Sequence, residues 1–97
     1  MAQTVSECLT AATDSVTVIN DINSKGLSSA HLVASDPSAG VTQADANARV
    51  KANVDHLTTI LAYDGTGDTP NVKDASDDKS SYTTAITTGN TYISNNS

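Results

Sequence analysis

The segment TQADANARVKANVDHLTTILAY, residues 42–63, carries the clearest structural signal in the chain. Its apolar positions recur at steps of three or four and are Ala46, Val50, Val54, Leu57 and Ile60 or Leu61. This spacing places side chains on one face of an α-helix, so the pattern predicts a helix with one apolar stripe. Asp45 falls in the predicted first turn, where a negative charge interacts favourably with the helix dipole.

A second helix is predicted upstream, over about residues 4–25. Its apolar stripe consists of Val5, Leu9, Ala12, Val16, Ile19 and Ile22 or Asn23. Thr4 and Glu7 have the spacing of a capping box, and Lys25 followed by Gly26 is typical of a helix C-terminus. The β-branched run at residues 16–19 favours a strand, but the periodicity favours the helix more strongly.

The last segment, SYTTAITTGNTYISNNS, fits two structures. Its apolar and small residues fit one face of a helix over about residues 75–94, whereas Gly89-Asn90 is typical of a two-residue hairpin turn. We favour the helix and keep the hairpin as the alternative. A terminal helix without charged residues indicates a segment that packs against neighbouring subunits. The predicted interface residues are Tyr82, Ile86, Tyr92 and Ile93.

Two loops are predicted between these elements. Residues 27–41 are rich in Ser, Ala and Gly around Asp36 and Pro37, and form a loop of about fifteen residues that is long for a compact bundle. Residues 64–81, which we call the acidic segment, begin with an Asp-Gly step and contain four further Asp residues in a Ser-rich sequence. They are predicted to form a turn and then a solvent-exposed stretch that leads to the next helix and adds nothing to the core. The fold class is therefore all-α, with three helices in a single domain, residues 1–97.

The composition limits both the core and the partners. Leu, Ile and Val make up 18 of the 97 residues, and Phe and Trp are absent, so we expect a thin core that other copies or another protein complete. The net charge of −6 disfavours direct binding to nucleic acid. Residues 1–20 do not resemble a signal peptide, and no apolar run is long enough for a membrane span, so we expect synthesis in a cytoplasm.

No residue set predicts catalysis, a metal or a cofactor. The run from Asp64 to Asp68 resembles the start of a calcium loop, but Thr69, Pro70 and Ala75 replace residues that such a loop requires. The more economical interpretation is an Asp-rich turn. His31 and His56 lack the spacing of zinc ligands, and the single cysteine, Cys8, can form no internal disulfide. Cys8 is better explained as a small buried residue, and the chain is predicted not to be an enzyme.

Two segments, RVKANVDHLTTILAYDG (residues 49–65) and YTTAITTGNTYIS (residues 82–94), resemble small helical proteins encoded among the structural genes of marine tailed bacteriophages. In that family an Asn-Val-x-His-Leu helix is followed by an acidic turn and a terminal Ala-Ile-x-x-Gly-x-x-Tyr-Ile helix. The resemblance covers about half the chain. It implies a helical C-terminus and a component of the virion, made in the host cytoplasm.

Two functions follow as hypotheses. The first is a non-enzymatic structural protein of a phage particle, a multi-copy capsid decoration or stabilising subunit or a neck or tail subunit. Its partners are other copies of itself and capsid or tail proteins. The alternative is a soluble acidic helical binding module that inhibits or adapts a host protein, with the acidic segment facing a basic partner.

Overall fold

The computed structural model describes residues 3–28 and 42–97, and within these ranges it contains three α-helices and no β-strand. The helices are α1 (Val5–Lys25), α2 (Gln43–Leu61) and α3 (Ser80–Asn95). A short 3-10 helix (Gly26–Ser28) follows α1. The predicted all-α, three-helix fold is confirmed, and most of the predicted first loop lies outside the described residues.

The helix ends follow local sequence signals. Thr4 and Glu7 form the predicted capping box, in which the Thr4 amide donates to Glu7 Oε1 at 2.9 Å and the Glu7 amide donates to Thr4 Oγ1 at 3.1 Å. Helix α1 ends at Lys25 and is capped by Gly26, whose φ of 63° is in the left-handed region that glycine adopts without strain. Thr42 and Asp45 form a second capping box at the start of α2. The capping residues of α1 and α2 therefore provide hydrogen bonds for backbone groups that have no partner within the helix.

Helix α3 confirms the favoured helix for the last segment, but it begins at Ser80 instead of about residue 75. It continues through Gly89, so the hairpin alternative is wrong. Gly89 lies inside α3 because another helix approaches closely at that point. A Cβ atom built on Gly89 would overlap the Cγ2 methyl of Val54 and lie 3.1 Å from Cγ1 of Val50, both on α2. The glycine therefore serves helix packing and not a turn.

Polar contacts between the helices define the topology. Gln43, at the start of α2, donates from Nε2 to the hydroxyl of Tyr92 near the end of α3, at 3.0 Å. The Tyr82 hydroxyl, near the start of α3, donates to the carbonyl of Leu9 in the first half of α1, at 2.8 Å. Helix α3 therefore runs antiparallel to α2 and parallel to α1, as in an up-down-up bundle.

The three helices share one apolar core. It comprises Cys8, Leu9, Ala12, Ile19, Ile22, Ala46, Val50, Val54, Leu57, Ile60, Val72, Ala85 and Tyr92. Small residues at the helix contacts let the backbones approach closely, so few bulky side chains fill the interior. Among the described residues, Leu27 is the one large apolar side chain that is exposed, at 41%. The expectation that other copies or another protein complete the core stays a prediction, although the described part of the chain exposes little bulky apolar surface.

The segment between α2 and α3 also contributes to the core, contrary to the prediction. Val72 is 0% exposed, although most of its neighbours in the acidic segment face water. The Lys73 amide donates to the Tyr63 carbonyl at 2.9 Å, and an isolated antiparallel bridge joins Asp64 to Asn71. These bonds fold the segment back on the end of α2, so that Val72 is inserted into the core cluster.

Three carboxylates are hydrogen-bonded to turns or helix starts. The Thr4 amide lowers the pKa of Glu7, and the Ser80 amide lowers the pKa of Asp78 below its usual value. The hydroxyl and amide of Thr66 lower the pKa of Asp64. In each case the hydrogen bond favours the charged carboxylate, so folding holds these groups ionised. Asp78 therefore places a negative charge at the N-terminus of α3.

These bonds predict that acid destabilises the fold. A depressed folded-state pKa contributes stability above the unfolded value, about 4.3 for Glu, and the contribution is lost as the pH falls through the folded value. In Glu7→Gln, the decline in unfolding free energy between about pH 5 and about pH 2 is expected to be shallower, because the variant lacks the Glu7 carboxylate. Some decline remains, because Asp64 and Asp78 still titrate. Urea unfolding followed by circular dichroism measures this, and equal declines in both proteins would contradict it.

Candidate interaction surface

Three of the four predicted interface residues lie at the boundary of the core. Tyr82, Ile86 and Ile93 are partly buried and pack against the core cluster. Besides its bond to Leu9, the Tyr82 hydroxyl is 3.4 Å from the Thr13 hydroxyl on α1. These side chains lie on the side of α3 that faces its own bundle. Their contact with another subunit stays a prediction.

Tyr92 is a core residue of its own chain. Its side chain is 8% exposed, and its hydroxyl accepts the hydrogen bond from Gln43. The same Gln43 amide nitrogen also donates to Asn47 Oδ1 at 3.0 Å, and Asn47 Nδ2 donates to the Asn96 carbonyl at 3.1 Å. Tyr92 therefore anchors the end of α3 to the start of α2. A charged substitution at this position would disrupt the bundle and would not report on assembly.

The opposite side of α3 is exposed, and we call it the outer face of α3. Its members are Ser80, Ser81, Thr83, Thr84, Thr87, Asn90, Thr91, Ser94 and Asn95. At 100° per residue these positions form one continuous surface, and Thr84, Thr87, Thr91 and Ser94 lie along its centre. The polar, uncharged composition of this helix is visible in the sequence, but contact was predicted for its apolar residues. The signal that identifies the outer face is its position opposite Ala85 and Gly89.

Some hydroxyls of this face are bonded within α3 or to the residue before it. Thr83 Oγ1 donates to the carbonyls of Ser80, at 3.1 Å, and of Lys79, at 3.3 Å. Thr87 Oγ1 donates to the Thr83 carbonyl at 3.3 Å. A hydroxyl that bonds to its own helix needs no partner when the surface is covered, so covering these residues requires little loss of hydrogen bonding.

The outer face contrasts electrostatically with the rest of the described surface. Helix α3 contains no Asp, Glu, Lys, Arg or His. Glu7 and Asp14 are exposed on α1, and the acidic segment exposes five aspartates, Asp64, Asp68, Asp74, Asp77 and Asp78. Helix α2 exposes both signs, and Lys51 pairs with Asp55 at 3.1 Å. The outer face of α3 is therefore a helical surface without charge on a protein whose net charge is −6.

The sequence that resembles a calcium loop forms a hydrogen-bonded turn. Asp64 Oδ1 accepts bonds from the Thr66 hydroxyl at 2.8 Å and from the Thr66 amide at 3.2 Å. Gly65 and Gly67 both have positive φ, 90° and 63°, which the turn requires. Within residues 3–28 and 42–97, no three His, Cys, Asp or Glu side chains are grouped to hold a metal ion.

The cysteine and the described histidine, the other side chains considered for chemistry, lie in positions that ordinary structural roles explain. Cys8 is buried, and its Sγ lies 3.4 Å from Gln3 Oε1. His56 is exposed on α2, and His31 lies outside the described residues. The described part of the chain encloses no pocket, and none of its helices is both long and apolar enough to cross a membrane.

Comparisons with known proteins identify no relative. No protein-family model matches the chain, and no curated protein or solved structure matches it either.

Proposed function

We propose that the chain is a non-enzymatic structural protein of a bacteriophage particle, present in many copies, which acts through protein–protein contacts. Its role is that of a capsid decoration or stabilising subunit, or of a neck or tail subunit. Its partners are other copies of itself and capsid or tail proteins. The likeness of residues 49–65 and 82–94 to phage structural proteins supports this assignment to the virion.

The observation that carries the proposal is the uncharged outer face of α3. The centres of protein interfaces are depleted in charged residues, because burying a charge requires the loss of its hydration. In a particle, many acidic copies are held at high local concentration, where like charges repel. A face without charge lets such a subunit bind its neighbours with little electrostatic penalty.

The acidic segment favours a second candidate, a soluble module that binds a basic host protein. It contains five exposed aspartates and two lysines, Lys73 and Lys79, so the segment between α2 and α3 has an excess of negative charge. Such a surface increases the rate of association with a basic partner, and salt weakens the resulting complex. This candidate needs the acidic segment and not the outer face of α3.

Mass spectrometry of purified particles of the encoding phage tests the proposal. The chain is expected in washed particles at a fixed, high ratio to the main capsid or tail proteins. High salt is expected to leave it bound, because the contact surface is uncharged. Absence from the particles would contradict the proposal, and recovery on a basic host protein in a salt-sensitive complex would favour the binding module.

Two variants separate the candidates. The triple variant Asp74→Asn, Asp77→Asn and Asp78→Asn reduces the charge of the acidic segment and leaves the exposed side chains of α3 unchanged. It is expected to enter particles normally, whereas a binding module with this change would lose affinity for its basic partner. Thr84→Lys, in the middle of the outer face, is expected to reduce incorporation.

A further inference from the structure

We infer that the connection between α2 and α3 opens from the bundle as a unit of its own, and that ionic strength sets how often it is open. The unit is residues 64–79, the part of the acidic segment that precedes α3, and we call it the strap. The inference goes beyond the proposed function, because it holds for this chain whether its partner is a particle or a host protein. A salt-dependent opening makes the strap a conformational device that exposes part of the core.

One buried side chain attaches the strap to the helices. Val72 is 0% exposed, whereas the other strap residues are exposed or partly buried. The Lys73 amide donates to the Tyr63 carbonyl at 2.9 Å, just beyond the end of α2. The bridge between Asp64 and Asn71 lies within the strap itself. Among the described residues, no ion pair joins the strap to a helix. Few interactions must therefore break for the strap to leave the bundle.

The helices keep most of the core when the strap is open. The core cluster has twelve other buried residues, and all of them lie on α1, α2 or α3. The helices are also bonded directly to one another, from Gln43 to Tyr92 and from Tyr82 to Leu9. A segment with few buried apolar contacts opens at a lower free energy than the whole protein. The strap therefore opens more often than the three helices unfold.

Negative charge is concentrated at the end of the bundle that the strap occupies. The strap contains five exposed aspartates and two lysines, and Glu7 lies at the same end because α1 is parallel to α3. Like charges repel, and an open strap spaces its carboxylates further apart, so this repulsion favours opening. At the opposite end, two acidic and two basic side chains offset one another: Asp21, Lys25, Asp45 and Arg49.

Salt weakens the repulsion that opens the strap. Interactions between exposed charges are largely screened beyond the Debye length, which falls from about 30 Å at about 10 mM salt to about 8 Å at about 150 mM. The contact that closes the strap is the burial of Val72, an uncharged side chain that screening does not weaken. Added salt is therefore expected to close the strap.

Native-state hydrogen exchange of the full chain tests the inference, with NMR used to follow individual amides at low urea concentrations. At about 10 mM salt, the Lys73 amide is expected to be protected at least about tenfold less than the amide of Leu57, a core residue of α2. Exchange at Lys73 is expected to depend less on urea, because a partial opening exposes less surface. At about 150 mM salt, the protection of Lys73 is expected to rise severalfold.

A double variant, Asp68→Asn with Asp77→Asn, tests the role of charge at two exposed strap positions. It is expected to increase the protection of the Lys73 amide at low salt and to reduce the effect of added salt. The matched control is Asn20→Lys with Ser94→Lys, which changes the net charge by the same amount at exposed positions of the opposite end. The control is expected to leave the protection of Lys73 and its response to salt unchanged. Circular dichroism verifies that both variants keep the helices.

Three results would overturn the inference. Exchange of Lys73 with the same free energy and urea dependence as Leu57 would show that the strap opens only when the whole protein unfolds. Protection of Lys73 that does not rise with salt would contradict control by ionic strength, as would equal effects of the two double variants. None of these results depends on whether the chain enters particles, so this inference and the proposed function fail separately.

Discussion

Replacing Gly89 by valine is expected to unfold the bundle or to reduce its stability by several kcal/mol. A single Cβ at this position already overlaps the Cγ2 methyl of Val54, and it would lie 3.1 Å from Val50 Cγ1 and 3.4 Å from Ile19 Cγ2. The neighbours are β-branched and buried, so they cannot rotate away easily. Overpacking by one or two methyl groups costs about 1–3 kcal/mol, and valine adds three carbon atoms.

A graded series tests this explanation by urea unfolding. Gly89→Ala gains about 1 kcal/mol of helix propensity, so any net loss of stability measures the steric overlap. The control Asn90→Ala lies on the exposed side of the same turn and is expected to be neutral or stabilising. Val54→Ala should rescue Gly89→Ala, so that the double variant is more stable than the sum of the single changes predicts. Additive losses would show that the helices do not meet at Gly89.

Replacing Val72 by aspartate is expected to detach the segment between α2 and α3 from the core and to lower stability by several kcal/mol. Val72 is 0% exposed in the apolar cluster. An unpaired carboxylate at such a site costs several kcal/mol, a large part of the about 5–15 kcal/mol typical of a domain. Val72→Ala removes two methyl groups and is expected to cost about 1–3 kcal/mol.

Thermal unfolding and hydrogen exchange separate detachment of the segment from general loss of stability. The Lys73 amide, which donates to the Tyr63 carbonyl, is expected to lose protection in Val72→Asp even where the helices remain folded. Ser76→Asp is the matched control, because it adds the same charge at an exposed position in the same segment. Equal effects of the two substitutions would contradict the burial of Val72.

The outer face of α3 was only partly predictable. The absence of charge in the last segment is visible in the sequence, and it indicated the helix that the proposed interface uses. Which residues point outward depends on how α3 is rotated, and the close approach at Gly89 sets that rotation. Tyr82, Ile86, Tyr92 and Ile93 were predicted as contact residues because the last segment lacks charged residues. The bundle instead uses Tyr92 in its own core and leaves threonine, serine and asparagine outside.

Local interactions made α1 and α2 predictable. Their apolar stripes repeat within one chain segment, and the capping box of Thr4 and the stop at Gly26 involve residues only a few positions apart. The Gly89-Asn90 dipeptide is compatible both with a hairpin turn and with a closely packed helix. Only the contact with Val54 distinguishes the two structures. Val72 shows the same limit, since its apolar partners are distant in sequence and its immediate neighbours are polar. The helices follow from short-range periodicity and capping, whereas the residues that close the core follow from contacts that exist only after the three helices have packed.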